Sequence, residues 1–175
     1  MHRLSVDEFK AANKLPLIVV LDNVRSLHNV GSVLRSCDAF RVEAVYLCGI
    51  TATPPSAEIH KTALGAEDSV TWKYFAQTTD AINELHAKGT KVFAVEQVAG
   101  STMLQNLDTE AGTRYAVILG NEVKGVQQTM IDLCNSCLEI PQFGTKHSLN
   151  VSVAAGIVVW EFAKKIGKGE EVKRR

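Results

Sequence analysis

The chain has 175 residues, 46% of them hydrophobic and 22% charged, and its 19 basic and 19 acidic side chains give a formal net charge of zero. A chain of this size forms one domain with a real core, and its apolar runs fall far short of the roughly 20 residues that a membrane span requires. The even charge balance announces no nucleic-acid partner. The N-terminal segment is polar and mixes acids with bases, unlike a secretory signal or a transit peptide, so a cytoplasmic protein with no membrane partner is expected.

Residues 1–14 read as a short N-terminal extension. The apolar run Leu15–Leu21 predicts a strand that ends in the polar turn Asp22-Asn23. From His28 to Phe40 the apolar positions Val30, Val33, Leu34, Cys37 and Phe40 recur at helical spacing. Further strands are expected at Ala44–Leu47, Val70–Phe75, Lys91–Glu96, Tyr115–Gly120 and Cys137–Ile140. Helices fit at Ala57–Leu64, Thr79–Lys88 and Val126–Leu133, and a last long one runs from about Leu149 to Ile166. Residues 167–175, with Lys168, Lys173, Arg174 and Arg175, read as a basic, flexible tail. The alternation predicts one α/β domain over residues 15–166, a mostly parallel sheet with helices on both faces.

Sheets of that kind bind ligands beyond the carboxyl ends of their strands. Asn29 and Arg35 follow the first strand, Glu96 ends the fourth, Gly120-Asn121-Glu122 ends the fifth and Ser148-Leu149-Asn150 follows the sixth. Each has an ordinary reading too. Asn29, Ser148 and Asn150 suit helix caps, Glu122 a solvated turn, and Arg35 a surface pair with Asp38. The helix start after Asn150 also offers free N–H groups to an anion or polar ligand. Of the four cysteines only Cys134 and Cys137 form a C-x-x-C, and with no second pair they read as structural thiols, so no metal is expected.

Three motifs stand in order along the chain. The first is Asn29-Val30-Gly31-Ser32-Val33-Leu34-Arg35 with Ala39-Phe40, and the second is Leu119-Gly120-Asn121-Glu122-Val123-Lys124-Gly125. The third is Ile140-Pro141 followed by Ser148-Leu149-Asn150-Val151-Ser152-Val153-Ala154-Ala155, and Lys61–Ala66 is a weaker echo. With these motifs the chain resembles the SpoU family of RNA 2′-O-ribose methyltransferases, within the SPOUT group of knotted enzymes. It departs from the family pattern at Arg41, where glycine is usual, and at Ser26-Leu27-His28, where a proline-rich lead is usual.

The resemblance implies a deep trefoil knot in the last third of the chain, where connectivity rules alone suggest an ordinary doubly wound sheet. It implies S-adenosylmethionine held among three C-terminal loops by Val95, Gly120, Ile140, Ser148 and Leu149, largely through backbone groups. The implied reaction is metal-free methyl transfer to a ribose 2′-hydroxyl of structured RNA. Arg35 would act as base or as the group that positions the ribose-phosphate, and Asn29, Glu122, Ser148 and Asn150 would orient Arg35, the ribose and the cofactor. Transfer RNA is expected ahead of ribosomal RNA, because some 14 residues before the first strand leave no room there for an RNA-binding domain. A homodimer packed through the first and last helices is expected, since helix 149–166 is apolar around most of its circumference. Glu122, a carboxylate at the end of a buried strand, is expected within reach of Arg35 or Asn150. Two rival readings share the fold: a methyltransferase directed at a base nitrogen, and an RNA-binding protein without turnover. A dinucleotide oxidoreductase is a poorer reading still, because no G-x-G-x-x-G follows the first strand.

Overall fold

The computed structural model describes residues 3–167. The expected basic tail lies outside the described residues from position 168 onward. Helix α1, Val6–Ala11, opens the fold with a capping box in which Ser5 and Glu8 satisfy each other's backbone N–H groups, and it buries Phe9. Sequence reading treated this stretch as an extension, although Ser5-x-x-Glu8 is the signature of such a box.

Strand β1, Leu15–Asp22, leads into α2, Leu27–Ala39, and then β2, Val42–Cys48. Two short helices follow, α3 at Ala57–Ala63 and α4 at Ala66–Ser69, before β3 at Trp72–Phe75 and α5 at Thr78–Ala87. Strand β4, Lys91–Val95, precedes a two-residue strand β5, Thr102–Met103, and a 3₁₀ turn at Leu104–Asn106. The last third holds β6, Tyr115–Leu119, α6, Gln128–Ile131, β7, Ser136–Glu139, and α7, Val151–Ile166. The expected strand 70–75 starts two residues late because Val70 ends α4. The expected helix 126–133 shrinks to α6, because Val126 serves as a core residue in the turn before it.

All ladders of the seven-stranded sheet are parallel, in the order β3-β2-β1-β6-β4-β7-β5. Strand β6 enters between β1 and β4, and β7 enters between β4 and β5. The late strands thus slot between earlier ones, an order consistent with the expected knot. Side chains alternate across the sheet with period two. Leu17, Val19, Leu21, Val117 and Leu119 join Val30, Leu34, Ala155 and Phe162 in one core. Ile18, Val20, Ala116 and Ile118 join Ile82, Leu85 and Val126 in the other. Strands buried on both faces read as unbroken apolar runs, and each fully buried Leu, Ile or Val contributes about 1.5–3 kcal/mol. Among the described residues no helix is long and apolar enough to cross a membrane.

Helices α2 and α7 lie side by side against one face of the sheet. Gly156 faces Ser36, and the rings of Phe40 and Trp160 meet at 5.6 Å. Gly31 sets how closely α2 approaches α3, since a Cβ there would collide with Thr62 Oγ1 and the Ile59 carbonyl. The family glycine replaced by Arg41 corresponds to a backbone position with φ 51°, just after α2, where Arg41 N–H donates to the Asp38 carbonyl.

Candidate active site

Because every strand runs the same way, the loops after β1, β4, β6 and β7 converge at one end of the sheet. A cleft of ≈ 720 Å³ opens there, and Val95, Gly120, Ile140, Ser148 and Leu149 all line it, as do Glu96, Glu122 and Asn150. Asn29 and Arg35 are not among its lining residues. Val95, Ile140 and Leu149 supply an apolar wall. Gly120 permits the tight closure of the next turn, since a Cβ on it would collide with the Gly125 backbone and Val126 N.

The turn 120–126 is fastened by side chains. Asn121 Oδ1 accepts from Val123 N and Lys124 N at 2.9 and 3.0 Å, and its Nδ2 donates to the Asn23 carbonyl at 2.9 Å. Glu96 Oε2 accepts from Val126 N at 3.1 Å. Sequence reading found neither role, although an Asn at the start of a glycine-closed turn is the usual residue for such a clasp.

Glu122 reaches back to the entry of α2. Its Oε2 accepts from Arg25 N at 3.0 Å, and its Oε1 accepts from Ser26 N at 3.0 Å and from Asn29 Nδ2 at 3.3 Å. Partial burial pushes its pKa up, but the N–H groups of Arg25 and Ser26 and the Asn29 amide outweigh this and hold the carboxyl below its ordinary value. A direct bond from Arg35 or Asn150 is not among these contacts, and Asn150 meets Glu122 at one remove, through Asn29. The carboxylate faces the entry of α2, where the first backbone N–H groups have no intrahelical partner, about two and a half turns before Arg35.

Asn150 caps α7: its Oδ1 accepts from Ser152 N at 2.9 Å and Val153 N at 3.3 Å. The helix therefore starts at Val151, two residues later than expected. Asn150 Nδ2 donates to Asn29 Oδ1 at 3.1 Å. Asn29 is not itself the cap of α2, a role taken by Ser26. One chain of bonds thus runs Asn150 to Asn29 to Glu122 and ties the start of α7, the first turn of α2 and the turn 120–126 together at the cleft's edge. Ser148 is exposed in the loop that forms the cleft's far wall.

Arg35 is exposed on α2 and makes no hydrogen bond or ion pair among the described residues. The ordinary surface pair with Asp38 is likewise absent from the ion pairs among the described residues. Beside it α7 exposes Val153 at 50%, Ile157 at 37% and Trp160 at 51%. Cys134 Sγ donates to the Met130 carbonyl at 3.2 Å while Cys137 is buried in the sheet. Among the described residues no group of three His, Cys, Asp or Glu side chains could hold a metal ion.

Residues 16–160 match the model of the SpoU rRNA Methylase family. A 23S rRNA (guanosine-2′-O-)-methyltransferase of Nitrosomonas europaea is 37% identical over 83% of this chain and 55% of its own length. The chain thus spans little more than half of that relative. An AdoMet-bound rRNA methyltransferase from Sinorhizobium meliloti superposes with a TM-score of 0.79 at 28% identity, over 87% of this chain and 60% of that one. The TrmH/SpoU tRNA modifying enzyme of A. aeolicus superposes with a TM-score of 0.81 at 23% identity, over 94% of this chain and 83% of that one, a likeness of fold.

Proposed function

The chain belongs to the SpoU rRNA methylase family, and from that premise we propose that it transfers a methyl group from S-adenosylmethionine to a ribose 2′-hydroxyl of RNA. The observation that carries this reading is the Asn150–Asn29–Glu122 chain of bonds at the rim of the cleft. It joins residues of all three motifs into one polar edge beside an apolar slot.

The slot fits the cofactor. Val95, Ile140 and Leu149 offer apolar surface for an adenine ring, and the close backbone at Gly120 leaves main-chain groups at its edge. The bound cofactor supplies an electrophilic methyl group, so the protein need only orient the 2′-oxygen and manage its proton. Asn29, Asn150 and Ser148 are placed to position the ribose, and Glu122 fixes Asn29. Arg35 holds the ribose-phosphate through the N–H donors of its guanidinium.

Arg35 does not line its own chain's cleft, and the apolar stripe of α7 lies uncovered next to it. A homodimer packed through α2 and α7 covers that stripe and brings Arg35 of the partner subunit toward the cleft. Ribosomal RNA is favoured over transfer RNA, in contrast to the expectation from the short N-terminal segment. The relative at 37% identity is named for 23S rRNA, whereas the tRNA modifying neighbour, at 23%, carries the fold alone. Guanosine is the favoured target nucleoside on the same ground.

The test is methyl transfer by the purified protein to unmodified 23S rRNA and, separately, to bulk tRNA, with product nucleosides identified by mass spectrometry. A 2′-O-methylguanosine in the ribosomal arm is the expected product. A base-methylated nucleoside, or cofactor binding without any transfer, would replace this reading with one of the two rivals.

A further inference from the structure

A second depression, of ≈ 410 Å³, lies beyond the ends of β1, β2 and β3, on the far side of the 120–126 turn from the cleft. Asp22, Asn23, Ile50, Tyr74, Gln77 and Gln127 are among its lining residues. A trough lined by Arg25 and Lys124 connects the two, sharing Asn121, Val123, Lys124 and Gly125 with the cleft and Asp22, Asn23, Ile50 and Gln127 with the depression.

Asp22 makes this depression unusual. It is only 3% exposed, yet both hydrogen bonds its carboxylate accepts, from Thr78 Oγ1 and Asn23 Nδ2, fall on Oδ1. Among the described residues Oδ2 has no donor. Oδ2 is not sealed off, since the sole fully buried side-chain polar atom without a partner among the described residues is Thr90 Oγ1, so it is free to accept from a ligand that brings N–H groups. The opposite polarity stands beside it. Helix α5 begins at Thr78 with no side-chain cap, so the N–H groups of Thr78 and Thr79 lack acceptors among the described residues. The side-chain amides of Gln77 and Gln127 are likewise unbonded among the described residues. An anion would be repelled by Asp22 and a cation by the helix start, so the complementary ligand is neutral and carries donors next to an acceptor.

Tyr74, 47% exposed, and Ile50, 64% exposed, add the flat, apolar surface on which a base can stack. Arg25 and Lys124, neither in an ion pair among the described residues, lie along the trough where a backbone phosphate would pass.

We propose that the depression binds a guanine of the substrate RNA, with the base N1–H and 2-amino group donating to Asp22 Oδ2 and its O6 accepting from the first N–H groups of α5. This deepens the proposed function and rests on it for the identity of the ligand as part of an RNA strand. Guanine is the base whose pairing edge sets two donors beside one acceptor; adenine and uracil present other orders.

The probes are GMP, IMP and AMP at millimolar concentration, titrated into the isotopically labelled chain and followed by amide NMR. GMP should shift the amides of Asn23, Gly49, Gln77, Thr78 and Thr79, and should bind at least about tenfold more tightly than AMP, the discrimination of one good edge contact. IMP, which lacks the 2-amino group, should fall between them. Asp22→Asn should abolish the preference. Should that variant fail to fold, the base series on the natural chain decides alone. Equal binding of GMP and AMP, GMP shifts confined to the cleft, or no GMP binding would overturn the proposal. S-adenosylmethionine, titrated into the same sample, separates the two readings. Cofactor binding at Gly120 and Leu149 without GMP binding refutes the guanine site alone, and the reverse result refutes the proposed function while leaving a guanine site.

Discussion

Asn150 at the start of α7 donates its side-chain amide to Asn29 Oδ1 at 3.1 Å, across 121 positions of sequence. Asn29 passes the contact on to Glu122, so one amide holds the third motif to the second. Glu122 and Asn150 are exposed and Asn29 is half-buried, and the network's worth lies in position more than in stability. Asn29→Ala should cost folding no more than about 1 kcal/mol, while methyl transfer falls by about a hundredfold through loss of alignment. Asn29→Asp should be worse than Asn29→Ala, because it sets a second carboxylate against Glu122. Equal activity of the two variants would remove Asn29 from the positioning network.

Glu122 gives a pH signature. Its folded-state pKa is lowered, with burial opposing and the Arg25 and Ser26 N–H groups prevailing. Its contribution is therefore fully present above the unfolded value near 4.5 and is lost as pH falls through the lower folded value. Glu122→Gln should be less stable than the natural chain at neutral pH by about 1 kcal/mol, given its partial exposure, and the difference should vanish in acid. Denaturant midpoints measured at several pH values check this; a difference that persists in acid would point to steric causes.

Arg35 lies away from the cleft of its own chain, so binding and chemistry should separate. Arg35→Ala should bind S-adenosylmethionine almost as the natural chain does in calorimetry and lose RNA methylation by orders of magnitude. Lost cofactor affinity with turnover intact would reverse the assignment.

Arg41 occupies left-handed backbone at φ 51°, where a side chain costs energy that glycine avoids. Arg41→Gly should stabilise the fold by up to about 1 kcal/mol after glycine's greater unfolded entropy is counted. A thermal midpoint that falls instead would show that the Arg41 side chain makes a compensating contribution.

The strands were legible because burial on both faces leaves unbroken apolar runs, as in Leu15–Leu21 and Tyr115–Leu119. Short elements were not: β5 has two residues and α4 has four, too few to show any period. Gly120, Ile140, Ser148 and Leu149, which line the cleft, lie within the motifs, whereas Val95 and Glu96 at the end of β4 do not. The partners of Glu122 were not legible, because they are backbone N–H groups of Arg25 and Ser26, and main-chain donors leave no mark on side-chain pattern. Gly31 shows the converse. Its motif position was readable, but the close approach of Thr62 that requires it appears only once α2 and α3 are packed.

A site completed across a two-fold is tested most directly by mixing two inactive variants. Arg35→Ala keeps an intact cleft, while Leu149→Trp crowds the cleft at a partly exposed lining position and keeps Arg35. Co-refolded or co-expressed, the two should form heterodimers with one whole site, and RNA methylation should reappear at a substantial fraction of the natural level. If Arg35 served the cleft of its own chain, neither half of the heterodimer would hold a complete site. A mixture as inactive as its components, with heterodimers demonstrated by mass, would contradict the account.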